Sequence, residues 1–422
     1  MTIWQRLLPT CPDWIAEAAS AALTKVKPLW TEIDDRVLLN QAKVMRAFQE
    51  AGIADIHFAG STGYGYSDIG REKIEELFAR VFGTEAALVR VQFASGTHAI
   101  ATGLFGVLRP GDRLVAAAGT PYDTMRQVIH GAPGSLTEWG ILYEEVDLRD
   151  DLTVDLEAIA QAVVGARCLF IQRSRGYSLR PTLTVERIGE IIRVAKAANP
   201  EIICVVDNCY GEFVEEREPS EVGADLTCGS LIKNPGGGIA PTGGYVVGRR
   251  DLVERAASRL IAPGIGTEVG ANLGVNRLIL QGFFLAPRVT GSALQGAQFT
   301  AAFFGELGFA VRPAYDAFRS DLVQAVELGS ADGLVAFCEA VQRSSPVDAH
   351  VRPEPWDMPG YTDQVIMAAG TFVQGSSIEL SADGPMRPPY AAYFQGGLTR
   401  EHVIIAALNA ANDLAARGIL TR

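Results

Sequence analysis

Seven short apolar runs alternate with helical patterns between about residues 60 and 250. The runs begin at Ala86, Asp112, Ile141, Arg167, Glu201, Asp225 and Gly243. Because they show little alternation of polar and apolar residues, they are typical of strands that are covered on both faces. The alternation of such strands with helices predicts an α/β fold built on a mainly parallel, doubly wound sheet of seven strands.

Helix signals separate these runs, and a different pattern follows them. The segment "DIGREKIEELFARVFG" begins at the N-cap residue Asp68 and stops at Gly83, and "TVERIGEIIRVAKAANP" stops before Pro200. Beyond the apolar runs, the helical "GLVAFCEAVQR" precedes the strand-like "QVIMAAGTFV" and "SSIELSA". We therefore predict a helical arm at residues 1–55, a large α/β domain at 56–289 and a smaller C-terminal α+β domain at 290–422.

Composition excludes several classes of partner. The 37 basic and 49 acidic residues leave a net charge of −12, which opposes binding to nucleic acid. The apolar stretch "LILQGFFLAP" at Leu278 is too short to cross a bilayer, and the N-terminus does not resemble a secretory signal. The six cysteines form no CxxC pair, so neither a metal site nor a disulfide framework is expected. A cytoplasmic protein without a nucleic-acid or membrane partner is the resulting expectation.

Polar residues at strand ends are the first candidates for function, because ligands bind beyond the carboxyl ends of strands in open parallel sheets. Ser95, Gly96 and Thr97 follow one run and open a helix, where backbone amides can hold a phosphate. A plain N-cap is the alternative. Asp207 ends the run "IICVV", where a carboxylate can bind a protonated ring nitrogen or magnesium, or simply form a turn.

Lys233 is the third candidate, since it follows Ser230 and precedes three consecutive glycines. A desolvated lysine loses basicity and its amine can form a Schiff base, although most lysines are solvated surface residues. The flanking residues Ile232 and Asn234 exclude a Walker A loop, and Pro241 excludes the dinucleotide fingerprint. A helix start that can bind a phosphate, an aspartate that can bind a ring nitrogen and a lysine that can bind an aldehyde follow one another along the chain. Together they predict a pyridoxal 5'-phosphate site.

At these residues the chain resembles fold type I pyridoxal-phosphate enzymes of the cysteine and methionine metabolism class. It is most similar to the methionine gamma-lyase-like family that is often labelled aluminium-resistance protein. The likeness extends from about His57 to Gly397 and includes "VQFASGTHAI", "VVDNCYGEFVE", "GSLIKNPGGGIAPTGGY" and "GTFVQGSSIELSADGPMRPPYAAYFQGGLT". It implies a large domain that binds the cofactor and a smaller C-terminal domain.

The resemblance also implies a role for each candidate. Lys233 is expected to carry the cofactor's aldehyde and to shuttle protons between substrate carbons, and Asp207 to keep the pyridine nitrogen protonated. Tyr122, in "GTPYDT", is expected to stack on the cofactor ring and to protonate a departing thiolate, although it could also be an ordinary buried aromatic residue. The expected phosphate site comprises Ser95, Gly96, Thr97 and Ser230.

Two parts of the class pattern differ in this chain. In the class, a Tyr-x-Arg pair from a neighbouring subunit completes the phosphate site. Here Tyr66 is present but Asp68 occupies the arginine position, so either Arg71 replaces that arginine or the phosphate is bound in a different way. The arginine that binds the substrate carboxylate is expected to be Arg387, with Arg173 and Arg175 as rivals.

The function implied is a pyridoxal-phosphate-dependent carbon–sulfur lyase of the cystathionine beta-lyase or methionine gamma-lyase type. It would act on a small sulfur amino acid by β- or γ-elimination, as a homotetramer with shared active sites. Transamination, racemisation or γ-replacement on the same fold is an alternative, as is a non-catalytic cofactor-binding protein with a stress or regulatory role. The residues do not decide between β- and γ-elimination.

Overall fold

The computed structural model describes residues 2–422, which form two compact units. One unit is Leu39–Ala286, and the other consists of the residues up to Leu38 together with Pro287–Arg422. The division predicted from the sequence, at residues 55 and 289, stays a prediction because compactness alone does not define domains that fold independently.

Seven strands of the unit Leu39–Ala286 form one sheet, and each lies within one of the seven predicted runs. The sheet order is β1-β7-β6-β5-β4-β2-β3, and β7 alone is antiparallel to its two neighbours. The prediction of a mainly parallel seven-stranded sheet is therefore confirmed. The strands are β1 Ala86–Arg90, β2 Arg113–Ala116, β3 Leu142–Glu145, β4 Cys168–Gln172, β5 Ile203–Asp207, β6 Leu226–Ser230 and β7 Gly244–Gly248.

The central strands are buried on both faces, as the apolar runs predict. In β5, Ile203 and Val205 join one apolar cluster, whereas Cys204 and Val206 join another on the opposite face. Helices on both faces and the neighbouring strands supply further residues of these clusters, and this arrangement defines a doubly wound sheet. Such a sheet leaves its polar groups at the strand ends, where the candidate residues lie.

The helices begin where the sequence supplies caps. Asp68 accepts a hydrogen bond from the Arg71 amide at 2.9 Å, and Thr184 accepts one from the Arg187 amide at 3.0 Å. The helices are α1 Ile3–Leu7, α2 Asp13–Val26, α3 Trp30–Glu50, α4 Ile69–Val81, α5 Gly96–Val107, α6 Asp123–Ile129, α7 Leu156–Ala162, α8 Val185–Ala198, α9 Arg250–Leu260, α10 Asn276–Glu306, α11 Ala331–Arg343 and α12 Arg400–Ala416. Between residues 2 and 422, no helix is both long enough and apolar enough to cross a membrane.

The second unit contains a five-stranded antiparallel sheet in the order β10-β11-β12-β9-β8. Its strands are β8 Ala310–Arg312, β9 Gln324–Glu327, β10 Val365–Ala368, β11 Ser381–Pro385 and β12 Ala391–Gln395. The strand-like "QVIMAAGTFV" contains β10, but "SSIELSA" overlaps β11 only at Ser381 and Ala382. The prediction of that strand was therefore too early in the chain.

Candidate active site

The start of α5 lies against the end of β6. Ser95 caps the helix, since its Oγ accepts a hydrogen bond from the His98 amide at 3.1 Å. A Cβ atom added to Gly96 would lie 3.2 Å from both the Ser230 Cβ and the Cys209 Sγ. A residue with a Cβ would need these side chains to move by a few tenths of an ångström, so glycine suits this close approach. The structure thus brings together the predicted phosphate residues of two distant segments.

Thr97, the last residue of the predicted phosphate segment, points to a second helix start. Its Oγ1 lies 3.0 Å from the Oγ1 of Thr124, in the first turn of α6. The starts of α5 and α6 therefore lie next to each other, and the longer helix α5 carries the positive end of its dipole there. This arrangement suits an anion such as a phosphate.

Asp207 ends β5, which pairs in parallel with β6. Its carboxylate is buried and accepts a hydrogen bond from the Cys209 amide at 3.0 Å. Burial raises the pKa of Asp207, while the charge of Lys233 and the Cys209 amide act in the opposite direction. A cationic group bound next to this carboxylate would offset the cost of burying it.

Lys233 lies in the loop after β6, and its side chain is partly buried. The Nζ atom is 3.9 Å from the centroid of the Tyr210 ring. Burial alone would lower the pKa of Lys233, because it disfavours the charged ammonium. The neighbouring acidic groups have the opposite and larger effect, so the pKa of Lys233 is raised above its ordinary value. These groups belong to Cys209, Tyr210, Asp207 and Glu212. The amine is therefore protonated in the cofactor-free chain at neutral pH, whereas burial alone predicts a weaker base.

Tyr122 is held by the loop that follows β4. Its amide donates to the Oε1 of Gln172, the last residue of β4, at 2.6 Å. Its ring meets the Tyr177 ring edge to face, with centroids 5.6 Å apart. A Cβ atom on Gly176 would lie only 2.7 Å from the Tyr122 Cδ2. The direction of the Tyr122 ring thus depends on Gly176.

Arg173, a predicted carboxylate-binding residue, is completely buried beneath the loop after β5. Its Nη1 donates to the Oδ1 of Asn208 at 2.7 Å and to the Gly211 carbonyl at 3.0 Å, and its Nη2 donates to Glu215 at 2.8 Å. These contacts occupy both ends of the guanidinium and favour a structural role for Arg173. Arg175 is also buried, and its Nη2 lies 3.4 Å from the Thr182 hydroxyl.

Asp68 and Arg71 stabilise the loop that carries Tyr66. Asp68 caps α4 and also accepts a hydrogen bond from Ser61. The Arg71 Nη1 donates to the carbonyls of Gly65 and Gly270 at 2.7 and 3.0 Å. Arg71 is therefore tied to backbone carbonyls, and a role for it at the phosphate stays a prediction.

Tyr66 itself is exposed, and its ring contacts that of Tyr64 at 5.7 Å between centroids. Arg387, the first candidate for carboxylate binding, belongs to the other compact unit. There it lies after β11 and forms an ion pair with Asp363. The roles of Tyr66 and Arg387 stay predictions.

Four residues that contact the candidate side chains were not predicted from the sequence: Cys209, Tyr210, Gln172 and Gly176. Gln172 ends a strand, so the rule that singled out Asp207 could have found it. The local sequence around the other three gives no comparable signal, because their contacts depend on how loops from different strands meet.

The arrangement fits pyridoxal phosphate. The start of α5 at Gly96 lies close to Ser230, so backbone amides and a hydroxyl that can bind a phosphate lie together. The buried Asp207 offers a partner for a protonated ring nitrogen. Lys233 offers an amine that lies close enough to Asp207 for the two charges to interact. Tyr122 provides an aromatic ring fixed by its neighbours.

Comparisons with known proteins agree with this geometry. Residues 15–415 match the methionine gamma-lyase family. A Bacillus subtilis relative, named uncharacterized protein YnbB, is 52% identical over 388 residues, covering 91% of each chain. The crystal structure of a Clostridium novyi carbon-sulfur lyase involved in aluminum resistance has a TM-score of 0.92 and 47% identity, covering 96% of each chain.

A second crystal structure comes from Listeria monocytogenes, and its name describes a candidate cystathionine beta-lyase involved in aluminum resistance. It has a TM-score of 0.91 and 51% identity, covering 94% of this chain and 98% of its own. The architecture is that of fold type I pyridoxal-phosphate enzymes, as the resemblance implies. With both its sequence and its fold matched over nearly the whole length, the chain belongs to the methionine gamma-lyase family.

Proposed function

We propose that this protein is a pyridoxal-phosphate-dependent carbon–sulfur lyase that acts on a sulfur amino acid. The observation that carries the proposal is the meeting of Lys233, the buried Asp207 and the Gly96 helix start at the ends of adjacent strands. Membership of the methionine gamma-lyase family supports the same reaction class. So does the likeness to a carbon-sulfur lyase over 96% of the chain.

The cofactor would be held at three points of the unit Leu39–Ala286. Ser95, Gly96, Thr97 and Ser230 would bind its phosphate, Asp207 would face its ring nitrogen and Lys233 would hold its aldehyde. When bound, pyridoxal phosphate withdraws electrons from the substrate Cα and so makes the Cα proton acidic. The buried carboxylate of Asp207 strengthens this effect, because it favours the protonated form of the ring nitrogen.

The chain's own side chains then move protons. Lys233, once a free amine, takes the proton from the substrate Cα and carries it to a neighbouring atom. Tyr122 donates a proton to the departing sulfur, from a position fixed by Gln172 and Gly176. Arg175 and Arg387 are the candidates for the substrate carboxylate, since a planar guanidinium binds a carboxylate with two hydrogen bonds. One water is consumed when the unsaturated amine left by elimination is hydrolysed, and the products are a thiol, ammonia and a 2-oxo acid.

The proposal is tested by reducing the cofactor-loaded protein with borohydride and mapping the labelled peptide. We expect the label on Lys233 and on no other lysine. The same preparation is assayed with cystathionine, methionine, cysteine and homocysteine. It is expected to release a 2-oxo acid, together with a thiol or hydrogen sulfide, from at least one of them. Label on a different lysine, or no release from any of these substrates, contradicts the proposal.

The variant Lys233→Ala is expected to lose the label and to lower the elimination rate by about 10²–10⁴-fold, the contribution typical of a general acid–base group. The exposed Lys27→Ala is the matched control and is expected to leave both unchanged. Equal activity in the two variants would remove Lys233 from the mechanism.

A further inference from the structure

Tyr210 follows Asp207 by three residues and has an unusual backbone. Its φ is +70°, in the left-handed region that residues with a Cβ rarely adopt. A strained residue of this kind persists only where the surrounding structure fixes it, and such residues cluster at functional sites. Tyr210 therefore calls for a functional explanation that its position in a turn does not supply.

A buried hydrogen-bond network around Arg173 holds this loop. Arg173 donates hydrogen bonds to the side chain of Asn208 and to the carbonyl of Gly211, which directly follows Tyr210 in the chain. A Cβ atom on Gly211 would lie 2.4 Å from the Arg173 Nη1, so glycine is required for the guanidinium to pass. Asn208 is fixed in turn by Glu218, which accepts from its Nδ2 at 2.8 Å. The buried network thus fixes the backbone that presents the Tyr210 ring.

The face of that ring is directed at the amine. At 3.9 Å from the ring centroid, the Lys233 Nζ lies well within the range of a cation–π interaction. This attraction acts on the ammonium ion and is lost when the amine becomes neutral. The ring can therefore distinguish between the charged and uncharged forms of Lys233.

We propose that Tyr210 is a positioning residue for Lys233, whose ring face holds the protonated amine in place and releases it when the amine loses its charge. The inference rests on the proposed function, in which Lys233 alternates between these two forms. It adds a second aromatic residue to the site, with a role different from that of Tyr122.

Three other acidic groups act on the same amine: Asp207 and Cys209 from the end of β5 and its loop, and Glu212 from the same loop. These groups act on Lys233 through charge when they are ionised, and burial raises the pKa of all three. The neutral ring acts through its quadrupole instead. Changing the quadrupole without changing the shape of the side chain separates the ring from these groups.

The experiment replaces Tyr210 in the full-length, cofactor-free chain by Tyr210→Phe, and then by phenylalanine carrying one or three ring fluorines. Fluorine withdraws electrons from the ring face while it leaves the volume almost unchanged. The reactivity of Lys233 towards isotopically labelled acetic anhydride is followed by mass spectrometry across neutral and alkaline pH. Tyr210→Leu completes the series as a non-aromatic side chain.

We expect Tyr210→Phe to behave like the native chain, because it keeps the ring. Each added fluorine is expected to lower the pH midpoint of labelling, by about one pH unit for the trifluoro ring and for Tyr210→Leu. Equal midpoints across the series would overturn the proposal. So would a full shift in Tyr210→Phe, which would assign the effect to the phenol group.

The labelling needs neither bound cofactor nor turnover, so it is independent of the borohydride and thiol-release tests. If the fluorine series shifts the midpoint while no sulfur substrate reacts, the positioning role stands and the lyase proposal fails. If substrates react but the midpoint does not move, the lyase proposal stands and Tyr210 has no such role.

Discussion

Gly176 determines the position of the Tyr122 ring, although it has no side chain of its own. Its φ is +59°, and an added Cβ would lie 2.7 Å from the Tyr122 ring. We predict that Gly176→Ala displaces this ring and lowers kcat for elimination, because Tyr122 then no longer points to the departing sulfur. The measurement is steady-state kinetics of thiol release.

Gly165→Ala is the matched control for this change. Gly165 also has a positive φ, of +73°, but an added Cβ would meet open space. Both variants are expected to lose about 1–2 kcal/mol of stability from the left-handed backbone. Only Gly176→Ala should lose activity beyond that loss of stability. Similar kcat values in the two folded variants would contradict the role given to Gly176.

At the scale of elements, the loop after β5 is joined to β7 through a buried carboxyl group. Glu212 is fully buried, and its Oε1 accepts a hydrogen bond from the Tyr245 hydroxyl at 2.6 Å. Burial raises the pKa of Glu212 to about 8, compared with 4.5 for an exposed glutamate. The folded chain therefore keeps Glu212 protonated in a pH range where the unfolded chain has released that proton.

This difference predicts how stability depends on pH. The contribution of neutral Glu212 is complete below pH 4.5 and is lost progressively as the pH rises towards about 8, by at most about 1.4 kcal/mol per pH unit. Glu212→Gln cannot ionise, so its free energy of unfolding should fall less than that of the native chain over this interval. Urea unfolding across the same pH range measures the difference.

The exposed Glu17→Gln serves as a control for removing a carboxylate elsewhere. It is expected to leave the slope of stability against pH unchanged. If the native chain and Glu212→Gln have the same slope of stability against pH, Glu212 does not titrate in this way.

At the scale of the whole molecule, we propose a homotetramer in which subunits share active sites. Tyr64 and Tyr66 are 75% and 63% exposed, and large aromatic side chains exposed together are typical of interaction surfaces. Light scattering is expected to give a mass close to four times the chain mass of 45.2 kDa.

Subunit sharing makes a further prediction for mixtures of inactive variants. If Tyr66 completes the site of a neighbouring subunit, Lys233→Ala and Tyr66→Ala damage the same site from different chains. Mixed assemblies of the two variants then contain some sites with both residues intact, and should regain activity above that of either variant alone. Separate mixing of each variant with itself is the control. No gain in the mixture would place Tyr66 and Lys233 in the same subunit's site or remove Tyr66 from it.

The sequence by itself determined the large sheet and the positions from which its chemistry is presented. All seven apolar runs became strands, and Asp207 and Ser230 end two of them. The helix cap at Asp68 was also predicted from the sequence. These features depend on hydrophobic periodicity and capping, which act over a few neighbouring residues and are therefore visible in a linear sequence.

Only the tertiary structure decided which side chains meet. Three contacts depend on segments that are distant along the chain. They are the contacts of Tyr210 with Lys233, of Gly176 with Tyr122 and of Arg173 with the loop after β5. The five-stranded sheet was likewise only partly predicted, since its short strands are defined by pairing with one another. Local patterns place a residue on an element, but contact between elements depends on packing, which no short stretch of sequence encodes.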